Sequence, residues 1–272
     1  MGLYGVQVLK SATDYARRRV PISDKIAGDS SPWHRFYPES RVGGFTYSDA
    51  GIAFFSQIDA IMRPTDRVLD FGAGRGEYIL EDTIDYRRRL SNLRGRCEHV
   101  EGCDVDDAVL SNPFLDHARV IELDKPLPYE DNSFDLVLSR FVFEHVSDPA
   151  FFAKELVRVL KPGGFIAAMT PNKHGYIAWA GSLVPNRLHV RVLNYIQPKR
   201  KSVDIFPTVY KLNSRRSLER FFGPGVDICT VYFASEPAYF FGNTLAYGVG
   251  KWVHKYLPDR LRPLLIIYIR KR

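Results

Sequence analysis

The feature that most constrains this chain is a glycine-rich bend set between a short apolar run and a helical stretch. Arg67-Val68-Leu69-Asp70-Phe71 reads as a strand, Gly72-Ala73-Gly74-Arg75-Gly76 as the loop closing it, and Glu77 to Leu90 as the helix that follows. The same alternation recurs downstream. His99 to Asp104 is a second strand with a short helix beginning near Asp107, Arg119 to Leu123 a third strand, and Phe134 to Ser139 a fourth. Pro149 to Leu160 is an amphipathic helix with Phe152, Leu156, Val159 and Leu160 on one face. Lys161-Pro162-Gly163-Gly164 is a tight turn into a fifth strand, Phe165 to Met169. Near-continuous apolar strands divided by helices predict a parallel sheet covered on both faces. A helix at Ser214 to Phe222 and strands at Val226 to Phe233 and Leu264 to Ile269 complete the pattern. The long excursion joining the last two strands predicts an antiparallel edge.

Outside this core the rhythm changes. Residues 1–62 are Pro- and Gly-punctuated and read as an N-terminal helical lid or extension, with residues 63–272 as the main domain. A basic, aromatic insertion is expected at about 173–202. The net charge of +7 hides a split: residues 1–150 carry 18 basic and 25 acidic residues, residues 151–272 carry 20 and 6. A basic half favours an anionic acceptor or an anionic membrane surface. Lys199, Arg200, Lys201, Arg215, Arg216 and Arg220 supply that charge, and Trp179, Tyr195 and Trp252 add amphipathic surface. Arg87-Arg88-Arg89 reads as a solvated helix end, and Tyr239-Phe240-Phe241 as core or substrate wall. Cys97, Cys103 and Cys229 form neither a metal-ligand spacing nor an even disulfide set, so no metal is expected and the setting is read as reducing and cytoplasmic. No run is long and apolar enough for a spanning helix.

The loop itself has a definite chemistry. Glycines there let the backbone approach a ligand, and a following helix offers unpaired N–H groups. A dinucleotide fingerprint would need glycine at position 77, where the chain has Glu77. Asp70 opens the loop and would repel a pyrophosphate while attracting a cation. Five motifs in register carry a resemblance: Val68 to Gly76, Gly102-Cys103-Asp104-Val105, Leu127-Pro128-Tyr129 through Ser133-Phe134-Asp135-Leu136-Val137, Glu144-His145-Val146, and Leu160-Lys161-Pro162-Gly163-Gly164. Over about residues 66–172 the chain resembles the class I S-adenosylmethionine-dependent methyltransferases, in the branch acting on small molecules and lipids. The resemblance implies a Rossmann-like seven-stranded, mostly parallel sheet with helices on both faces and an antiparallel edge strand, and S-adenosyl-L-methionine as cofactor.

In that reading Asp70 faces the donor's amino group while Phe71, Gly72, Ala73 and Gly74 line its methionine end. Asp104 accepts the ribose hydroxyls and Val105 packs on adenine. Glu122 and Leu123 meet the adenine edge, with Asp124 competing, and Ser139 and Arg140 sit under the methyl donor. The expected function is methylation, as O-methylation, of a small-molecule, sugar or lipid-linked acceptor, with peripheral membrane contact as a further expectation. A hydroxyl acceptor needs a base, for which His145 is the candidate, ahead of Glu144, His174 and His189. Ser139-Arg140-Phe141-Val142 departs from the tetrad of amino-directed nucleic-acid enzymes and no cysteine follows a proline, so nucleic acid is disfavoured. The alternatives are a catalytically inactive donor-binding module and a methyltransferase acting on RNA.

Overall fold

The computed structural model describes residues 32–176, 208–237 and 243–272. The chain divides into two compact units, Met1–Thr46 and Tyr47–Arg272. In the first, α1 (Pro32–Phe36) and α2 (Ser40–Gly43) are short, and the buried Ser40 hydroxyl donates to the Tyr37 carbonyl at 2.5 Å. The expected insertion falls outside the described residues from position 177 onward, and with it Trp179, His189, Tyr195, Lys199, Arg200 and Lys201. Tyr239-Phe240-Phe241 lies outside them too.

The second unit opens with α3 (Ala50–Ile61), which Asp49 caps by accepting the Ile52 N–H at 2.9 Å. Phe54, Phe55 and Ile58 of α3 are buried against the sheet. Then follow β1 (Arg67–Phe71), α4 (Glu77–Leu80), α5 (Asp85–Ser91), β2 (His99–Asp104), β3 (His117–Val120) and β4 (Phe134–Arg140). After these come α6 (Pro149–Val159), β5 (Leu160–Pro171), α7 (Arg215–Phe222), β6 (Val226–Phe233), α8 (Thr244–Tyr256) and β7 (Leu264–Lys271). The strands form one sheet in the order β3-β2-β1-β4-β5-β7-β6. The first five run parallel, and β7 pairs antiparallel with both β5 and β6. The expected α/β sheet with helices on both faces and antiparallel pairing toward one edge is therefore present.

Alternation along the strands divides the core in two. Val68, Leu136, Ala167 and Ile266 join Phe54, Phe55 and Ile58 on one face of the sheet. Their sequence neighbours Leu69, Val137, Ile166 and Ile267 join Phe152, Leu156, Leu218 and Phe222 on the other. The five strands β2, β1, β4, β5 and β7 are thus buried on both sides, which is why they read as near-continuous apolar runs, while the edge strands β3 and β6 are far less buried.

Three local expectations are corrected. The helix expected over Glu77 to Leu90 breaks into α4 and α5, because the Asp82 carboxylate accepts the Ile84 N–H at 2.9 Å and binds Arg87, competing with helical pairing. The third strand begins earlier, at His117, since Asp116 exchanges hydrogen bonds with Val100 (2.8 Å each way) and starts the ladder there; a turn at Glu122 ends it. The Lys161 to Gly164 turn lies inside β5, where Gly163 takes φ +79° and the register against β4 shifts. Arg87 is also no solvated helix end. It bridges Asp82 and the Asp49 cap of α3.

Candidate active site

Strand order reverses between β1 and β4, because the chain winds outward through β2 and β3 and then returns to β4 and β5. The connections diverge above the carboxyl ends of β1 and β4 and leave a crevice there. A crevice of about 710 Å³ occupies this position, lined by Asp70, the 72–75 loop, Tyr78, Asp104, Asp106, Arg140 and Phe141 among others. Gly72 takes φ +77°, and a Cβ there would come within 2.2 Å of Val142 Cγ2. Only glycine satisfies both the backbone and the space. Asn112, reaching from the connection after β2, donates to the Ala73 and Gly74 carbonyls at 3.3 and 3.1 Å and braces the loop. Asp104 closes the opposite wall: its Oδ2 accepts the Gly74 N–H at 2.9 Å and its Oδ1 the Asp106 N–H at 3.0 Å. Each carboxylate oxygen retains a further lone pair.

Three side chains meet at the back of the crevice. Asp70 is buried and takes a hydrogen bond from the Tyr78 hydroxyl at 3.3 Å. Burial pushes its carboxyl up to about 6, against the pull of the Arg140 guanidinium and the Tyr78 hydroxyl, with Asp104 adding to the rise. Burial and the Asp70 charge hold the Tyr78 phenol well above its ordinary value, so it stays a donor. The Arg140 guanidinium lies 4.3 Å from the Tyr78 ring centroid and 5.4 Å from that of Phe55. Burial lowers its pKa, and its Nε is a buried donor without a hydrogen-bond partner among the described residues. A buried donor of this kind costs free energy until something accepts from it. Asp70 and Arg140 thus offer opposite charges side by side, the complement of an α-amino acid group. Asp104 and the glycine backbone complement a ribose and a chain lying close to the loop. The residues fit S-adenosylmethionine.

The other expected residues fall in different places. Gly72, Ala73, Gly74, Asp104 and Arg140 share the crevice with Asp70. Phe71 and Ser139 are buried beneath it, the Ser139 hydroxyl without a partner among the described residues, and Val105 is 39% exposed at its rim. Glu122 accepts from Lys125 at 2.7 Å, and with Leu123 it lines a separate small hollow beside Phe71 and Phe152. His145 ends the short 3₁₀ turn Phe143–His145, its Nε2 4.0 Å from Glu144 Oε1, and lies outside the crevice lining. Glu144 is committed to Thr170, whose hydroxyl donates to it at 2.8 Å.

Sequence reasoning missed Tyr78 and Phe141. Tyr78 carries a usable signal, one aromatic residue two places past the last loop glycine. Phe141 has none: it adopts φ +55°, is 42% exposed, and is held by its N–H to the Met169 carbonyl at 2.8 Å. A strained, exposed aromatic residue at a strand end marks a site paid for elsewhere in the fold. Phe141, Tyr78 and Arg140 also line an adjoining cavity of about 430 Å³ that reaches Met169, Ser235 and Leu264, at the carboxyl end of β5 and the amino end of β7.

Comparison with known proteins agrees with this geometry. A family profile described as a methyltransferase domain matches residues 69–168. A Mycolicibacterium smegmatis protein assigned as an S-adenosylmethionine-dependent methyltransferase is 35% identical over 134 residues, 47% of this chain and 46% of that protein. The ubiquinone/menaquinone biosynthesis C-methyltransferase UbiE of Ectopseudomonas mendocina is 29% identical over 123 residues, 42% of this chain and 45% of the relative. The matches span about half the length of these curated relatives. Among solved structures, an S-adenosylmethionine-dependent methyltransferase from Thermotoga maritima superposes with a TM-score of 0.50 at 15% identity, covering 89% of this chain and 99% of that one. That likeness concerns the fold alone.

Proposed function

We propose that this chain, which belongs to the class I S-adenosylmethionine-dependent methyltransferases, transfers a methyl group to a small-molecule acceptor held in the cavity beside Phe141. The observation carrying this reading is Asp104 hydrogen-bonded across the crevice to the Gly74 N–H, directly beside the Asp70–Tyr78–Arg140 group. Bound there, the donor supplies an electrophilic methyl group on a positively charged sulfur. The chain's own residues orient and shield. Asp104 takes the ribose, Asp70 the ammonium and Arg140 the carboxylate, while Tyr78 fixes the Asp70 carboxylate through its hydroxyl. Phe141 walls both the crevice and the cavity, which supports its holding the acceptor against the methyl group and keeping water out.

The acceptor is a small molecule in this reading, in keeping with the relative named for C-methylation in quinone biosynthesis. Oxygen is the accepting atom in its finer form, with His145 as the base, a role that requires His145, which lines neither the crevice nor the cavity, to turn toward the acceptor. A pH–rate profile of His145→Gln that keeps the wild-type acid limb would remove His145 from that role.

Calorimetry tests the whole reading. The chain is expected to bind S-adenosylmethionine and S-adenosylhomocysteine and not NAD, and to release S-adenosylhomocysteine when given an acceptor. Absence of binding to both sulfur compounds at millimolar concentration would sink it. Binding without product over a panel of hydroxyl, carbon and amine acceptors would leave a donor-binding module instead.

A further inference from the structure

The helix α8 is amphipathic in the wrong sense for a helix that merely covers a core. Its inward side carries Tyr247 and His254, 1% and 9% exposed. His254 is tied on both ring nitrogens, Nδ1 to the Ser235 carbonyl at 2.7 Å and Nε2 to the Tyr176 hydroxyl at 2.6 Å. These contacts set the rotation of the helix about its axis. The opposite side then presents Leu245, Val249, Trp252, Val253 and Tyr256, spaced i, i+4, i+7, i+8 and i+11 along one stripe. They are 77%, 55%, 63%, 36% and 62% exposed. Single exposed apolar residues are ordinary, but a contiguous stripe of five marks a surface that meets something.

Charge and residue type select the occupant. Residues 237–258 contain Lys251 and Lys255 and no Asp or Glu, and the charge-free run 237–250 leads into the helix. Lys255 falls on one flank of the stripe, its ammonium 5.4 Å from the Tyr256 ring. Trp252 and Tyr256 lie ring to ring at 5.3 Å toward its C-terminal end. Aromatic rings of this amphipathic kind, aliphatic neighbours and a flanking lysine are what an anionic bilayer surface accommodates. Thirteen residues span roughly 20 Å, short of the roughly 30 Å hydrocarbon layer, so such a helix lies in the interface plane. Among the described residues no helix is long and apolar enough to cross a membrane.

We infer that the outward face of α8 is a docking surface for an anionic lipid bilayer, embedding Leu245, Val249, Trp252 and Tyr256 at the headgroup boundary with Lys255 against the lipid phosphates. This goes beyond the methyl-transfer reading and stands or falls independently of it, since the docking face holds none of the crevice residues.

The test is flotation of the full chain with vesicles of phosphatidylglycerol and phosphatidylcholine, against vesicles of phosphatidylcholine alone. Wild type is expected to float with the anionic vesicles at low salt and to be released as salt rises toward about 0.5 M, because the cationic flank is then screened. Leu245→Ser/Val249→Ser/Trp252→Ala and, separately, Lys255→Glu should each weaken vesicle binding, the triple change by roughly tenfold or more. S-Adenosylhomocysteine affinity should stay unchanged, which separates this inference from the donor reading and shows that the variants are folded. Quenching of tryptophan emission by bromine-labelled acyl chains, lost in Trp252→Phe, would place the helix at the acyl boundary. Vesicle binding that survives both sets of substitutions overturns the inference, as does wild type that fails to float. So does a fall in sedimentation mass in the triple-substituted chain, which would make the face a contact between copies.

Discussion

The crevice and α8 lie in the same compact unit and use opposite ways of preparing a surface for a ligand. In the crevice, polar groups are engaged before any ligand arrives: Asp104 holds two backbone N–H groups, Asp70 holds Tyr78, and Asn112 holds the glycine loop. Along α8 the outward side chains are apolar and exposed, while the fastening contacts sit on the inward side at Tyr247 and His254. A preorganised polar site places its groups where charge must be met, at a cost in buried charge that the rest of the fold bears. An exposed apolar stripe carries little structural duty. Substitutions in the crevice should therefore disturb both fold and binding, whereas those on α8 should disturb binding alone.

The sharpest way to break that contrast is at the loop. Gly72→Val places a branched side chain at φ +77° and against Val142, costing about 2–5 kcal/mol from left-handed strain and overpacking together. Thermal unfolding should show the loss, and calorimetry should show no S-adenosylhomocysteine binding. A stable variant that binds normally would mean the bend is not the donor site. Next in size is Asp104→Ala, expected to weaken binding by about 1.5–3 kcal/mol, the range for hydrogen bonds to a charged group. It also strips partners from the Gly74 and Asp106 N–H groups, so its melting temperature should fall as well.

Arg140→Met probes the guanidinium whose buried Nε has no hydrogen-bond partner among the described residues. Affinity for S-adenosylhomocysteine should drop roughly tenfold. Affinity for the analogue lacking the carboxylate should barely change, so an equal loss for both ligands would assign Arg140 to the acceptor instead.

Asp70 joins stability to pH. Its folded carboxyl sits at about 6, above the ordinary 3.8, so its contribution to stability is fully present below pH 3.8 and is lost as pH rises through about 6. Asp70→Asn should accordingly be more stable than wild type at pH 8, by on the order of 1–3 kcal/mol, with the gain fading toward pH 4. It should bind the donor more weakly. In wild type, donor affinity should decline below about pH 6 as the carboxylate is protonated, and a flat profile from pH 5 to 8 would remove Asp70 from the ammonium contact. The smallest effect belongs to the outward face of α8. Trp252→Ala should move unfolding by no more than about 0.5 kcal/mol, as for surface positions generally. A loss of 2 kcal/mol or more would show that the stripe is packed in the folded chain, and the contrast would collapse.

Much of this could be read along the chain, because it rests on local rules. Central strands buried on both faces are largely apolar, a helix that follows a glycine bend has few other solutions, and Asp70 and Asp104 lie at the carboxyl ends of β1 and β2 as their positions imply. Pairing and side-chain direction could not be read, since they depend on contacts distant in sequence. The Asp116–Val100 hydrogen bonds moved the start of β3, and Arg87 was drawn out of solvent by Asp49, 38 residues earlier. Composition could identify Trp252 as amphipathic, but only the burial of Tyr247 and His254 determined that its face of α8 turns outward. The sequence by itself determined the alternating core and the ends of the strands that frame the crevice, because period and glycine placement are local. Tertiary structure decided that Arg140 would lie over Tyr78 beside Asp70, because burial and electrostatic complementarity exist only once β1, β4 and α4 have come together.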